Sequence, residues 1–232
     1  MEEIIASEPV DIHLDHTIYT ARPTDKRLPK EERVYDLLER LGVPFERVDH
    51  DAVGTIEGCA EIEKLLDIEI CKNLFLRNSK GDQYYLLMLP GGKHLVTKDL
   101  AKKIGSTRLS FGTPEKMEEY LDITPGSVSV LGLMNDHGNN IQFLVDNDIK
   151  KWEYFGCHPC INTSSLKIKT ADLFSKILPA VGHEPVFVDI SDDDAACARV
   201  FADAARDNAD GARAGDEHVL ADEREHEGGM RG

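Results

Sequence analysis

CKNLFLRNSKGDQYYLLML, running from Cys71 to Leu89, decides the fold. Two apolar runs, Asn73 to Arg77 and Tyr84 to Leu89, flank NSKGDQ, whose Gly81 and Asp82 suit a tight reversal. Glycine accepts positive φ there, and aspartate bonds its own backbone. The spacing predicts a hairpin lying inside a sheet. Upstream, KEERVYDLLERLG sets Val34, Leu37, Leu38 and Leu41 at helical spacing, with Gly42 placed to stop the helix. A strand is expected at Val43 to Val48, then a helix near Ile56 to Leu66 in which Ile62, Leu65 and Leu66 share one face. Downstream, helices are expected at Thr97 to Ile104 and Pro114 to Leu121, and strands at Ser127 to Leu133, Phe143 to Val145 and Ser165 to Ile168. A last helix covers Thr170 to Leu178. The fold class this implies is α/β: a single mixed, mainly antiparallel sheet with surrounding helices.

The flanks differ from this middle. Residues 1–29 read as an N-terminal extension, with Ile4, Ile5, Val10 and Ile12 hinting at a strand or short helix before a Pro-containing linker. From Ser191 to Gly232 the chain is rich in Ala, Asp and Gly and has no Lys, the composition of an acidic disordered tail. The formal charge of -16 argues at first against a nucleic-acid partner. Carboxylates and cations number 6 and 3 in residues 1–27, 25 and 19 in 28–190, and 12 and 5 in 191–232. The middle is therefore only mildly acidic, and a local basic face on it is compatible with the total. No run of eighteen apolar residues occurs, and the first thirty residues lack a secretory pattern, so a cytoplasmic location without membrane contact is expected. Five cysteines without framework spacing point to free thiols.

Three stretches in a fixed order carry more information: CKNLFLRN at Cys71 to Asn78, GGKHLVTKDLAKKIG at Gly91 to Gly105, and FGCHPCINTSSLKI at Phe155 to Ile168. Together they resemble the YbaK/ProX family of aminoacyl-tRNA deacylases, free-standing relatives of the editing insertion in bacterial prolyl-tRNA synthetase. The resemblance runs over residues 30–190, ending with GHEPVFVDI at Gly182 to Ile190. It implies a catalytic lysine at Lys72, with Asn73 beside it, and a G-x-x-P loop formed by Gly156, Cys157, His158 and Pro159. The pattern HP-x-x-N-T, met by His158, Pro159, Asn162 and Thr163, is that of the family's alanine-specific branch. Cys160 stands where relatives carry an aliphatic residue.

The chemistry is consistent with that resemblance. An aminoacyl ester is activated relative to an amide, so positioning water and stabilising the oxyanion can suffice without a covalent nucleophile. The resemblance implies Lys72, Gly156, His158 and Pro159 as the catalytic set. Asn73, Cys157, Asn162 and Thr163 are the implied substrate-binding residues, and no cofactor or metal is called for. Lys93, Lys98, Lys102, Lys103 and Arg108 cluster within a short span and are candidates for contacting tRNA phosphates, although such a cluster is ordinarily the wet face of a helix. Cys157 and Cys160 form a C-x-x-C that could instead serve metal or redox chemistry, but no second ligand pair accompanies it. His50 and His183 lack partners at ligand spacing and read as surface or capping residues. The expected activity is trans-editing of mischarged Ala-tRNA(Pro), with tRNA(Pro) and prolyl-tRNA synthetase as partners and no DNA. The rivals are a deacylase for Cys-tRNA(Pro) or another small amino acid, and a non-catalytic sensor of aminoacyl-tRNA or amino acid.

Overall fold

The structure, a computed structural model, describes residues 13–52 and 56–190. The readings made for Ile4 to Ile12 and for the tail from Ser191 lie outside the described residues, as does Cys197. Helix α1 spans Pro29–Arg40, with proline in its first turn, Glu31 and Glu32 beside the positive end of the dipole and Arg40 in the last turn. Strand β1 is Phe45–Asp49 and helix α2 is Ile56–Leu66. The hairpin forms from β2, Cys71–Asn78, and β3, Tyr84–Pro90, with Lys72 opposite Leu89 and Leu76 opposite Tyr85. Helix α3 is Thr97–Lys103, β4 is Leu109–Phe111, and α4 is Pro114–Leu121, capped by the Thr113 hydroxyl and ended by Asp122 in the left-handed region. Then come β5 at Ile141–Asp146, β6 at Tyr154–Cys157 and β7 at Ser164–Lys169. The last helical stretch starts at Thr170–Asp172, widens to π geometry over Leu173–Ile177 and closes at Leu178–Val181, before β8 at Pro185–Val188.

The expected single sheet is in fact two. One has five strands in the order β4-β2-β3-β5-β8, the other three in the order β1-β7-β6. Four of the six strand pairs are antiparallel, while β5 runs parallel to both β3 and β8. Every residue of β3 is buried, as a central strand covered on both faces requires. The strand expected at Ser127 to Leu133 is instead a 3-10 helix over Val130–Asn135. Val130, Leu131, Gly132 and Leu133 are all buried, so this apolar run has no polar side to set a period, and apolar runs of this length do not distinguish strand from helix.

The central core lies between the sheets and α1, where Leu38, Phe75, Phe143, Phe155 and Leu166 are all buried. A second cluster packs α3, through Leu100 and Ala101, on the opposite face of the large sheet. A third, with Val48, Ile62 and Leu66, seats α2 on the outer face of the small one. The N-terminal stretch continues into this unit: Leu14 bridges His50 and Tyr19 bridges Arg47 along the edge of β1, and Arg22 pairs with Glu32, Asp36 and Glu39 of α1.

Candidate active site

The three stretches singled out in the sequence converge at the start of β2. Ile70, just before that strand, forms a parallel bridge with Gly156, and the Gly156 N–H donates to Glu69 O at 3.1 Å. This contact joins the edges of the two sheets. It requires glycine, because a Cβ on residue 156 would lie 2.6 Å from Ile68 Cδ1 and 2.9 Å from Ile70 Cγ1. On the other side, a Cβ on Gly91 would lie 2.8 Å from Ile70 O, so the GGK turn also passes directly against this residue. Lys72 Nζ then donates to Lys93 O at 3.2 Å. Lys72 and His158 each follow the bridge by two residues, on the two segments that meet at this junction.

His158 is fixed by its backbone partner. Its Nδ1 lies 2.9 Å from Ser164 O, and a carbonyl only accepts, so Nδ1 carries the proton and Nε2 presents a lone pair. Beside it, His50 Nδ1 donates to Asp51 O at 2.8 Å, and its Nε2 accepts from Ser165 Oγ at 2.9 Å. The two rings are 6.1 Å apart, and the His50 N–H donates to Thr163 O at 3.1 Å, tying the loop to the end of β1. Burial holds the His50 pKa below the usual histidine range; burial and then the neighbouring His50 do the same for His158, so both rings are neutral at pH 7. Burial also lowers the Lys72 pKa below the usual lysine value. His50 is 6% exposed and was missed as a site residue. Only the pairing of Asp49 with Ser164 brings it to the loop, and no spacing in the sequence signals that pairing.

Several expected site residues point elsewhere. Side chains alternate along β2, and Cys71 and Phe75 belong to the central core whereas Leu74 and Leu76 pack with α3. Asn73 therefore faces the core side, opposite to Lys72, and its Oδ1 is buried without a hydrogen-bond partner. Cys157 is 3% exposed and is part of the central core, so its side chain does not line a pocket with His158. Cys160, with φ of 62°, is fully buried there too. Burial pushes the thiol of Cys157 up and that of Cys160 up to about 12, the reverse of what a redox or metal-binding thiol needs. Among the described residues no three His, Cys, Asp or Glu gather closely enough to hold a metal ion. Pro159 is buried, Asn162 is half-buried with its amide near the Gly126 turn, and Thr163 is exposed. His183 is a buried structural residue rather than a surface one, bonded to Asp136 at 3.2 Å.

Of the five basic residues near α3, Lys98, Lys102, Lys103 and Arg108 are exposed. Lys93 is not on that wet face. Its ammonium reaches Asp148 at 2.6 Å, Asp146 at 3.0 Å and Ile190 O at 2.8 Å, and it is 11% exposed. An ion pair of this kind pins the end of β5 to the GGK turn and leaves the cation unavailable to a phosphate.

A lysine and a histidine thus flank the junction of a two-sheet α/β domain, with a Gly-x-x-Pro loop locked against it. The model of the aminoacyl-tRNA editing domain matches residues 50–175. The prolyl-tRNA editing protein ProX of Acetoanaerobium sticklandii is 36% identical over 157 residues, covering 66% of this chain and 93% of its own. The prolyl-tRNA synthetase associated domain-containing protein 1 of Mus musculus is 29% identical over 160 residues, covering 66% and 94%. Among solved structures, a candidate trans-editing enzyme for prolyl-tRNA synthetase superposes with a TM-score of 0.53 at 19% identity, over 72% of this chain and 99% of that one. The chain belongs to the aminoacyl-tRNA editing domain family. Editing of an aminoacyl-tRNA is hydrolysis of its ester, so this is an aminoacyl-tRNA deacylase. No helix among the described residues is long and apolar enough to cross a membrane.

Proposed function

We propose that this deacylase edits mischarged tRNA(Pro) in trans and that its preferred substrate is Ala-tRNA(Pro), clearing an error of prolyl-tRNA synthetase. The observation that carries the reading is the convergence at Ile70 of the three stretches Cys71 to Asn78, Gly91 to Gly105 and Phe155 to Ile168. The name of the ProX relative supports tRNA(Pro) as the carrier, and the HP-x-x-N-T pattern supports alanine.

In this reading Lys72 holds the terminal ribose or its phosphate as a point charge and orients the ester. The Gly156 N–H is already bonded to Glu69 O, so the donors for the oxyanion come from later in the loop, where the left-handed Cys160 turns the backbone. The lone pair of His158 Nε2 accepts from the α-ammonium of the bound amino acid, a role that needs a neutral ring. Water, placed with the help of the ribose's vicinal hydroxyl, attacks the carbonyl, and the tRNA hydroxyl leaves with the proton. Excluding proline by size is more effective than binding it less tightly, since a methylene in an apolar pocket separates substrates by only about 10–200-fold.

The test is release of labelled alanine from Ala-tRNA(Pro), run beside Pro-tRNA(Pro), Cys-tRNA(Pro) and a Lys72→Ala variant. Fast loss of alanine alone, abolished in the variant, is the expected result. Preferred release of cysteine would move the specificity, and no turnover on any ester would reject the reading.

A further inference from the structure

On the far edge of the small sheet, a recess of about 360 Å³ opens between the approach to β6 and the start of the last helical stretch. Trp152 and Phe174 supply its apolar surface, Lys150 and Lys169 flank it with positive charge, and Glu153 and Thr170 complete it. None of these residues belongs to the Lys72–His158 site. The Phe174 ring is 5.5 Å from that of Phe187, outside the recess, and Lys150 Nζ sits 3.4 Å from the Phe187 centroid, with no carboxylate partner among the described residues. Phe187 is 37% exposed, which leaves the aromatic surface open to solvent. Thr170 is 3% exposed, and its hydroxyl oxygen is buried without a hydrogen-bond partner. Large aromatics, two lysines and an unsatisfied hydroxyl in one concavity match a nucleotide, whose base stacks and whose phosphate takes the charge.

We infer that this recess binds one nucleotide unit, with its base against Trp152 and Phe174 and its phosphate between Lys150 and Lys169, and that an unpaired nucleotide of the tRNA substrate fills it. The inference rests on the reading of the chain as an enzyme acting on tRNA. The recess volume is at the small end for ligand sites, which suits a single nucleotide rather than a stacked pair. Glu153 offers an acceptor to an exocyclic amino group, which adenine, cytosine and guanine carry and uracil lacks. The neighbouring recess on the other side of Trp152 has Glu63, Asp67 and Glu69 among its walls, and its Lys167 already donates to Leu66 O at 2.7 Å. Its charge is wrong for a phosphate, so the strand is expected to enter on the Lys150 side only.

Trp152 is the single tryptophan of the chain, so its emission reports on this recess and on the acidic one beside it, and the Lys150→Ala/Lys169→Ala variant assigns a change to the former. The experiment titrates the full chain with uncharged tRNA(Pro), AMP, UMP and a blunt RNA duplex without unpaired nucleotides, and repeats the series with a Lys150→Ala/Lys169→Ala variant. Quenching by tRNA at a concentration at least tenfold below that needed for AMP is expected, with UMP weaker than AMP and the duplex weakest. The variant should lose at least tenfold in tRNA affinity and about 0.7 in the slope of log affinity against log salt, as one single-strand phosphate contact predicts. Equal quenching by AMP and tRNA would keep the nucleotide site and overturn its assignment to the tRNA strand. Emission indifferent to saturating tRNA and AMP, with KM for aminoacyl-tRNA unchanged in the variant, would overturn the inference even if alanine is released. Quenching with no ester cleaved would sustain it while rejecting the proposed reaction.

Discussion

Replacing Gly156 by alanine separates two explanations for the glycine of the G-x-x-P loop. The sequence suggests that it lets the main chain approach the substrate, whereas the structure shows Ile68 and Ile70 filling the space where a side chain would go. The new Cβ would meet Ile68 Cδ1 at 2.6 Å, Ile70 Cγ1 at 2.9 Å and Ile70 Cα at 3.3 Å. The first contact is with the end of a side chain that can turn away. The other two involve atoms at or next to the backbone of the segment that positions Lys72. Overpacking of this kind costs about 1–3 kcal/mol. In a domain of this size each kcal/mol is worth roughly 2–4 °C in Tm. Pushing Ile70 away also shifts Lys72 relative to His158, and a misplacement near 1 Å lowers turnover by about 100-fold. Urea unfolding and deacylation kinetics should therefore fall together in Gly156→Ala. Adding Ile68→Val, which deletes the Cδ1 atom, should recover part of the stability, giving a favourable coupling in the double-mutant cycle. Lost activity at full stability would show that the glycine serves the substrate, and unchanged stability and activity would refute the close approach altogether.

Four further outcomes are expected. Lys93→Met strips the cation from Asp146, a carboxylate 1% exposed that keeps only the backbone N–H groups of Asp148 and Ile190, so it should destabilise the fold by about 3 kcal/mol in urea unfolding. Arg108→Ala should leave stability unchanged and lower the salt slope of tRNA binding by about 0.7–0.9, and the reverse pattern for the two would contradict their placement. Glu31, 1% exposed, accepts from Tyr35 OH at 3.0 Å, and burial raises its pKa above the usual 4.5 despite that bond and the nearby Arg27. A raised carboxyl pKa favours folding fully below the unfolded value and loses that contribution as pH rises through the folded one. Glu31→Gln should therefore gain stability relative to the parent between pH 4.5 and 7.5, and a relative loss over that interval in urea titrations would mean that the Arg27 ion pair outweighs the burial. In a Cys59→Ser/Cys197→Ser background, Cys71, Cys157 and Cys160 should resist a thiol reagent until the protein unfolds, since all three are buried with raised pKa values. Fast labelling of the native variant, or inactivation by mild oxidant, would revive a redox role for the C-x-x-C.

What the sequence shows of this molecule follows from the range over which each signal acts. Helix α4 was expected from Pro114 to Leu121 and is found there, because the Thr113 cap, Pro114 and Asp122 act within one or two turns. The β2-β3 hairpin was legible for the same reason, its reversal being set by Asn78, whose Oδ1 accepts from Gly81 and Asp82. The division into two sheets was not legible, since it depends on β7 pairing with β1, more than a hundred residues away, and with β6 rather than joining the large sheet. The site residues divide in the same way. Lys72 and the Gly156 to Pro159 loop could be named from their motifs, but motif adjacency hid the alternation that sends Asn73 and Cys157 to the core side. Proximity in sequence likewise grouped Lys93 with its exposed neighbours, although Asp146 and Asp148, more than fifty residues away, had already claimed its charge. His50 shows the converse: nothing near it in sequence suggests a role, yet the β1-β7 pairing sets it against His158 and uses its backbone N–H to hold Thr163. With the His50 lone pair taken by Ser165 Oγ, His158, buried and with Nδ1 bonded to Ser164 O, is the ring placed to offer a lone pair rather than a charge. That electrostatic choice suits a substrate that brings its own cation in the α-ammonium group, and it follows from pairings that no single stretch of the sequence contains.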